Sequence, residues 1–148
     1  MDFRLSPELS AYLEELDAFI EKEIAPLQAR DDNERFFDHR REWARTDWDA
    51  GGLPRHEWEA LLGQARKLAD QAGHYRYALP KAYGGQDGTN LGMAVIREHL
   101  AAKGLGLFND LQNEHSIVGN NPFVLMIRDF GRPDQQHLIE DMLDRGAF

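Results

Sequence analysis

Cysteine is missing altogether from the 148 residues. That absence removes disulfide frameworks, thiolate metal sites and thiol catalysis together, and it suits a reducing compartment. Positive charge is also scarce: 17 Lys and Arg stand against 26 Asp and Glu, a formal net charge of −9. A chain so charged repels a phosphate backbone, so nucleic acid is excluded as the expected partner. Long hydrophobic runs are lacking too. The run "FVLMI" at 123 to 127 is far too short to cross a bilayer, and "MDFRLSPELS" has no basic segment followed by an apolar one. A cytoplasmic protein without membrane insertion is the expectation.

What is present is an ordinary globular balance of 42% hydrophobic and 29% charged residues. A chain of this length buries roughly two-thirds of the surface its unfolded form exposes, so one domain is expected. "LSPEL" opens a helix, with Ser6 as cap, Pro7 in the first turn and Glu8 at the positive end of the dipole. Leu9, Leu13, Leu16, Phe19 or Ile20, Ile24 and Leu27 then follow helical spacing. Pro26 is expected to end or kink this helix at Ala25.

Residues 31–52 change character, with eleven charged residues of 22 and four interspersed aromatics, Phe36, Phe37, Trp43 and Trp48. Phe36, Arg40, Trp43 and Ala44 fit one face of a short helix that Gly51-Gly52 closes. The segment has two readings, a solvated excursion with aromatic pegs or a contact surface for another chain.

Pro54 is expected to start the next helix, with Trp58, Leu61 or Leu62, Ala65, Leu68 and Ala72 inward and Gly73 ending it. Another runs from a Thr89 or Asn90 cap to about Lys103, carrying Met93, Ile96 and Leu100. Leu111 to Val118 reads as a further helical stretch. Asn121-Pro122 reads as the cap and first turn of a helix ending at Gly131, and Pro133 as the start of a last helix that Gly146 terminates. The pattern argues for no strand longer than a few residues. It predicts an all-α domain of five or six antiparallel helices, an up-and-down bundle.

The glycine-rich stretch "ALPKAYGGQDGTN" lacks the Gly-Lys-Ser/Thr of a phosphate-binding loop and carries an Asp where an anion would sit. It reads as a chain reversal in which Pro80 stops one helix and Gly84 and Gly85 take conformations that a Cβ would obstruct. "GLGLFN" follows a helix rather than a strand, so it is not a dinucleotide fingerprint. No Glu is followed by His three residues on, His56-Glu57 lacks a second His, and His39, His74, His99, His115 and His137 show no ligand spacing. No metal site is expected, and these histidines read as exposed or hydrogen-bonded. Glu114 and His115 are adjacent and point apart in a helix. No self-sufficient active site emerges. The ending "DRGAF" reads as a helix stop leading toward a strand, so the chain is expected to be the first part of a longer protein.

Taken in order, several stretches resemble the N-terminal helical domain of the FAD-dependent acyl-CoA dehydrogenases. They are the capped "LSPELSAYLEELDAFIEKEIAPL", the turn "LPKAYGG", "IREHLA" as a Glu-Glu-Leu-like motif, "HSIVGNNPFVLMIRDFG" and "PDQQHLIEDMLDRG". The similarity spans the chain except residues 31–52, and its most specific part is the turn formed by Pro80, Tyr83, Gly84 and Gly85. His99 departs from the second Glu of the family motif, and Arg132 from the usual Ser or Thr cap. The resemblance implies an oxidoreductase of acyl-CoA thioesters, in which a carboxylate takes the α-proton and the β-hydrogen leaves as hydride to FAD. A middle β domain and a C-terminal helical domain, absent from this chain, hold the base and most flavin contacts. No residue here inherits a catalytic role, and the chain alone is expected to be inactive. The resemblance further implies an acyl-CoA substrate, electron transfer to an electron-transferring flavoprotein, and a homo-oligomer. It assigns the acyl-pocket wall to Leu111, Gln112, Asn113, His115 and Ser116, whose polarity suggests an acyl group other than a plain fatty chain. Two alternatives stand beside it. One is a stand-alone helical interaction module binding through Phe36, Phe37, Trp43 and Trp48; the other is a domain of a related flavin monooxygenase or oxidase.

Overall fold

Ser6 begins the first element, its hydroxyl accepting the Leu9 N–H at 3.2 Å, and helix α1 (Pro7–Phe19) follows. A computed structural model describes residues 4–39, 41–109, 116–119 and 121–145. Pro26 does not end the first helix. The backbone widens into a π turn (Ile20–Ile24), in which the Ala25 N–H reaches the Ile20 carbonyl, and continues as α2 (Ala25–Ala29). A proline offers no N–H to the carbonyl four residues back, and the wider turn lets the chain pass the ring without breaking. Continuation keeps Leu16, Ile20, Ile24 and Leu27 on one buried face.

The 31–52 excursion is only partly helical. Phe36 sits in a 3₁₀ turn (Asn33–Phe36), while α3 (Arg41–Arg45) is too short to put Phe36 and Trp43 on one helical face. Two residues each of β1 (Thr46–Asp47) and β2 (Leu53–Pro54) form an antiparallel ladder, so Pro54 closes a hairpin rather than opening a helix. Helix α4 (His56–Gln71) begins two residues later.

Helix α4 buries Trp58, Leu61, Leu62, Ala65 and Ala69. Gly73, at φ +84°, ends it with a left-handed residue, and the His74 N–H bonds the Ala69 carbonyl at 2.9 Å. Thr89 caps α5 (Asn90–Ala102) by accepting the Gly92 N–H at 3.0 Å. Residues 116–118 form bends, not helix; Leu111 to His115 lie outside the described residues. Asn121 precedes α6 (Pro122–Phe130) without capping it. Its amide instead crosses to the Tyr75 carbonyl at 3.0 Å, which also accepts the Gly119 N–H. Pro133 opens a 3₁₀ turn (Pro133–Gln135) that leads into α7 (His137–Arg145), and Gly146 lies outside the described residues.

The fold of the described residues is all-α, with one short hairpin, and none of their helices is long and apolar enough to cross a membrane. Its main core joins α1, the π turn, α2, α4 and α5 through Leu16, Ile24, Ala69, Ile96 and Leu100, with Phe36, Leu107, Ile117 and Val118 filling between. A second, smaller core holds Leu79, Val124, Ile139 and Leu143, under α6 and α7. Arg76 joins the two. Its guanidinium meets Asp70 at 2.6 and 2.8 Å, the Leu143 carbonyl at 2.8 Å and the Tyr83 carbonyl at 3.4 Å.

Candidate functional site

A concavity of about 820 Å³ runs between the N-terminal halves of α1 and α5. Leu5, Leu9, Tyr12, Tyr77, Leu91 and Val95 give it an apolar lining, and Glu8, Glu15 and Glu98 give it acidic edges, with Arg4 at one end. The chain reversal at 78–90 contributes Gln86 and Thr89. Tyr77 lies against the start of α5 because Gly92 has no side chain: a Cβ there would stand 2.3 Å from the Tyr77 hydroxyl.

The two tyrosines of the groove belong to an aromatic cluster in which Tyr12 and His74 are buried and Tyr77 and Phe19 are partly buried. Tyr12 and Tyr77 have ring centroids 4.7 Å apart, and His74 packs on Tyr12 at 5.5 Å and on Phe19 at 4.9 Å. His74 Nδ1 lies 3.1 Å from the Tyr12 hydroxyl. Burial lowers the pKa of His74, with the Glu15 charge opposing it, and burial raises those of Tyr12 and Tyr77. Both shifts favour neutral forms, so the His74–Tyr12 contact is a neutral hydrogen bond and not an acid–base pair at pH 7. The groove is an apolar cleft with acidic edges.

On the α5 side, Asp17 of α1 receives His99 Nε2 at 2.7 Å and Lys103 Nζ at 2.9 Å. Burial alone would raise the Asp17 carboxyl; the hydrogen bonds from His99 and Lys103 outweigh it and hold the pKa below the ordinary value. His99, the departure in "IREHLA", thus ties two helices. Among the described residues no three His, Asp or Glu side chains come together in a metal-holding group.

Of the proposed pocket wall, Leu111, Gln112, Asn113 and His115 lie outside the described residues. Ser116 is buried, its hydroxyl accepting the Val118 N–H at 3.1 Å, and does not line the groove. Pro80, Tyr83, Gly84 and Gly85 sit on the far flank of the reversal, where Tyr83 packs against the α6–α7 core. Of the site and turn residues singled out from sequence, the described ones, Pro80, Tyr83, Gly84, Gly85 and Ser116, do not line the groove. Tyr12 was not among the residues read as the α1 face, although its place four residues before Leu16 is a signal for it; its meeting with His74 joins positions 62 apart and leaves no local signal. No protein-family model matches the chain, and no match is found among curated proteins or solved structures.

Proposed function

We propose that this chain is the N-terminal helical domain of an FAD-dependent acyl-CoA dehydrogenase, an oxidoreductase that converts an acyl-CoA to its 2,3-enoyl-CoA. In this reading α1 with α2, α4, α5, α6 and α7 are the helices of that domain's up-and-down bundle. The domain walls part of the acyl pocket and packs on the flavin domain, while FAD is bound mainly by residues beyond 148. Electron-transferring flavoprotein takes the electrons, and the whole enzyme is a homo-oligomer.

The observation that carries the reading, beside the ordered motifs, is the outer face of α6. Phe123, Met126 and Phe130 are 61%, 56% and 86% exposed, while Val124 is fully buried. Three large apolar side chains at helical spacing turned outward are what a domain needs when a second domain covers it, because burying each is worth about 1.5–3 kcal/mol.

The test is to express the reading frame continued beyond Phe148 and to assay flavin absorbance and enoyl-CoA formation over a panel of acyl-CoA thioesters. The reading expects bound FAD and acceptor-dependent turnover, weakened when Phe123 and Phe130 become Ser. A continuation without a β domain, or a colourless full-length protein, overturns it. Oxygen consumption in place of acceptor reduction moves the assignment to the flavin oxidases and monooxygenases. Preferred turnover of unbranched fatty acyl-CoAs removes the suggestion of a polar acyl group.

A further inference from the structure

Two rows of side chains border the groove between α1 and α5. Leu9 and Tyr12 of α1, with Leu5 just before them, keep the three-and-four spacing of one helical face, and Leu91 and Val95 of α5 do the same. The helices run side by side in one direction, since Tyr12 meets Tyr77 beside Gly92 and Asp17 meets His99 two turns further along α5. Leu5 and Leu91 are 43% and 73% exposed, so the rim of the groove offers apolar surface to water.

Each row ends in a carboxylate. Glu15 follows Tyr12 by three residues and Glu98 follows Val95 by three, and both line the groove. Asp17, one turn away, is paired with His99 and Lys103. Glu15 and Glu98 make no ion pair or hydrogen bond among the described residues. The Glu15 charge also reaches the aromatic cluster, where it acts on both Tyr12 and His74.

This joining of an apolar concavity with unpaired acids separates the groove from the other clefts. In the one between α2 and α4, Lys22, Arg30 and Lys67 outnumber Glu23. In the one beside the Asn33–Phe36 turn, Glu34 already accepts the Gln28 amide, and only Phe37 and Leu105 are apolar. The groove's volume is that of a small-molecule site. An apolar body covers the two rows, and a positive group answers the two carboxylates, which an anionic amphiphile would meet with repulsion. The rings of Tyr12 and Tyr77, with centroids 4.7 Å apart, add to the preference, because aromatic faces attract ammonium groups.

We propose that the groove is a binding site for a small amphiphilic cation, with its apolar body along Leu9, Leu91 and Val95 and its ammonium group toward the carboxylates of Glu15 and Glu98. The proposal stands apart from the flavoenzyme reading and needs no flavin.

Titration of the ¹⁵N-labelled chain with decyltrimethylammonium, kept below its micelle threshold, tests it. Amide shifts should centre on residues 9–15 and 91–98 and saturate with a dissociation constant on the order of 1 mM, ordinary for a ligand of this size. Decanoate, with the same chain and the opposite charge, and tetramethylammonium, with the head alone, should each bind about tenfold more weakly or worse. Glu15→Gln with Glu98→Gln should weaken the cation about fivefold or more without moving the thermal melt, since both residues are exposed. Glu42→Gln with Glu59→Gln removes the same charge from exposed positions outside the groove and should change the affinity less than twofold. Leu91→Ser should also weaken binding. Absence of saturable binding in the millimolar range overturns the proposal. So do decanoate binding as tightly as the cation, a loss as large in the Glu42 and Glu59 pair as in the Glu15 and Glu98 pair, or shifts centred on α6 and abolished by Phe123→Ser with Phe130→Ser.

Discussion

Gly84 and Gly85 stand side by side in "LPKAYGG" and are needed for different physical reasons. Gly84 has φ +75°, and a Cβ there would meet only the Arg76 side chain, at 3.5 Å. Its cost is the left-handed backbone. Gly85 is not in that region; a Cβ there would stand 2.0 Å from the Leu79 carbonyl oxygen and 2.6 Å from that of Arg76. Those atoms belong to backbone and cannot rotate away. Gly84→Ala should therefore cost about 1 kcal/mol, and Gly85→Ala about 3 kcal/mol, because the reversal itself must shift. Urea titrations of both variants check the order; equal losses would mean that close packing does not decide this corner. The sequence shows that glycine is wanted at both positions, but which constraint applies depends on the approach of residues 76 and 79, and no local pattern reports that.

At the scale of elements, helix faces are legible because burial follows spacing: Leu13, Leu16, Ile20, Ile24 and Leu27 of the first helix are all buried. Prolines are less legible, since the same residue is passed by a π turn at Pro26, closes a ladder at Pro54 and opens helices at Pro7 and Pro122. The joint between elements is the least legible of all. Arg76 follows α4 in sequence, yet it bonds Asp70 at the end of α4, the Tyr83 carbonyl in the reversal and the Leu143 carbonyl of α7. Arg76→Met should leave Asp70 without its bidentate partner and cost about 2–3 kcal/mol. The loss should be local first: amide exchange in α6 and α7 accelerates more than in α4, because the small core of Leu79, Val124, Ile139 and Leu143 loses its tie to the larger one. Uniform acceleration through both cores would show that the molecule opens as one unit and that Arg76 is not its joint.

Over the whole molecule, net charge and apolar fraction were readable from composition, whereas the groove was not, because residues 5–15 and 77–98 line it jointly. The same convergence of α1 with the start of the reversal encloses His74, and it sets how stability responds to pH. His74 is 1% exposed and burial lowers its pKa from 6.5, so the folded chain binds fewer protons there than the unfolded chain does. Stability from this group is present above the unfolded value and is lost as pH falls from 6.5 through the folded value. Asp17, also lowered, contributes in a separate window, present above the unfolded value of 3.8 and lost as pH falls from there through its folded value. Unfolding free energy should therefore drop between pH 7 and pH 5 with a slope of at most about 1.4 kcal/mol per pH unit from His74. His74→Gln keeps an amide within reach of the Tyr12 hydroxyl while removing the titration, so it should flatten that drop. Asp17→Asn should remove that group's contribution to the acid limb. Urea titrations across this range decide the matter: if His74→Gln retains the full slope, the histidine is not kept neutral by the packing of Tyr12 and Phe19 around it, and the neutral hydrogen bond assigned to the base of the groove is wrong.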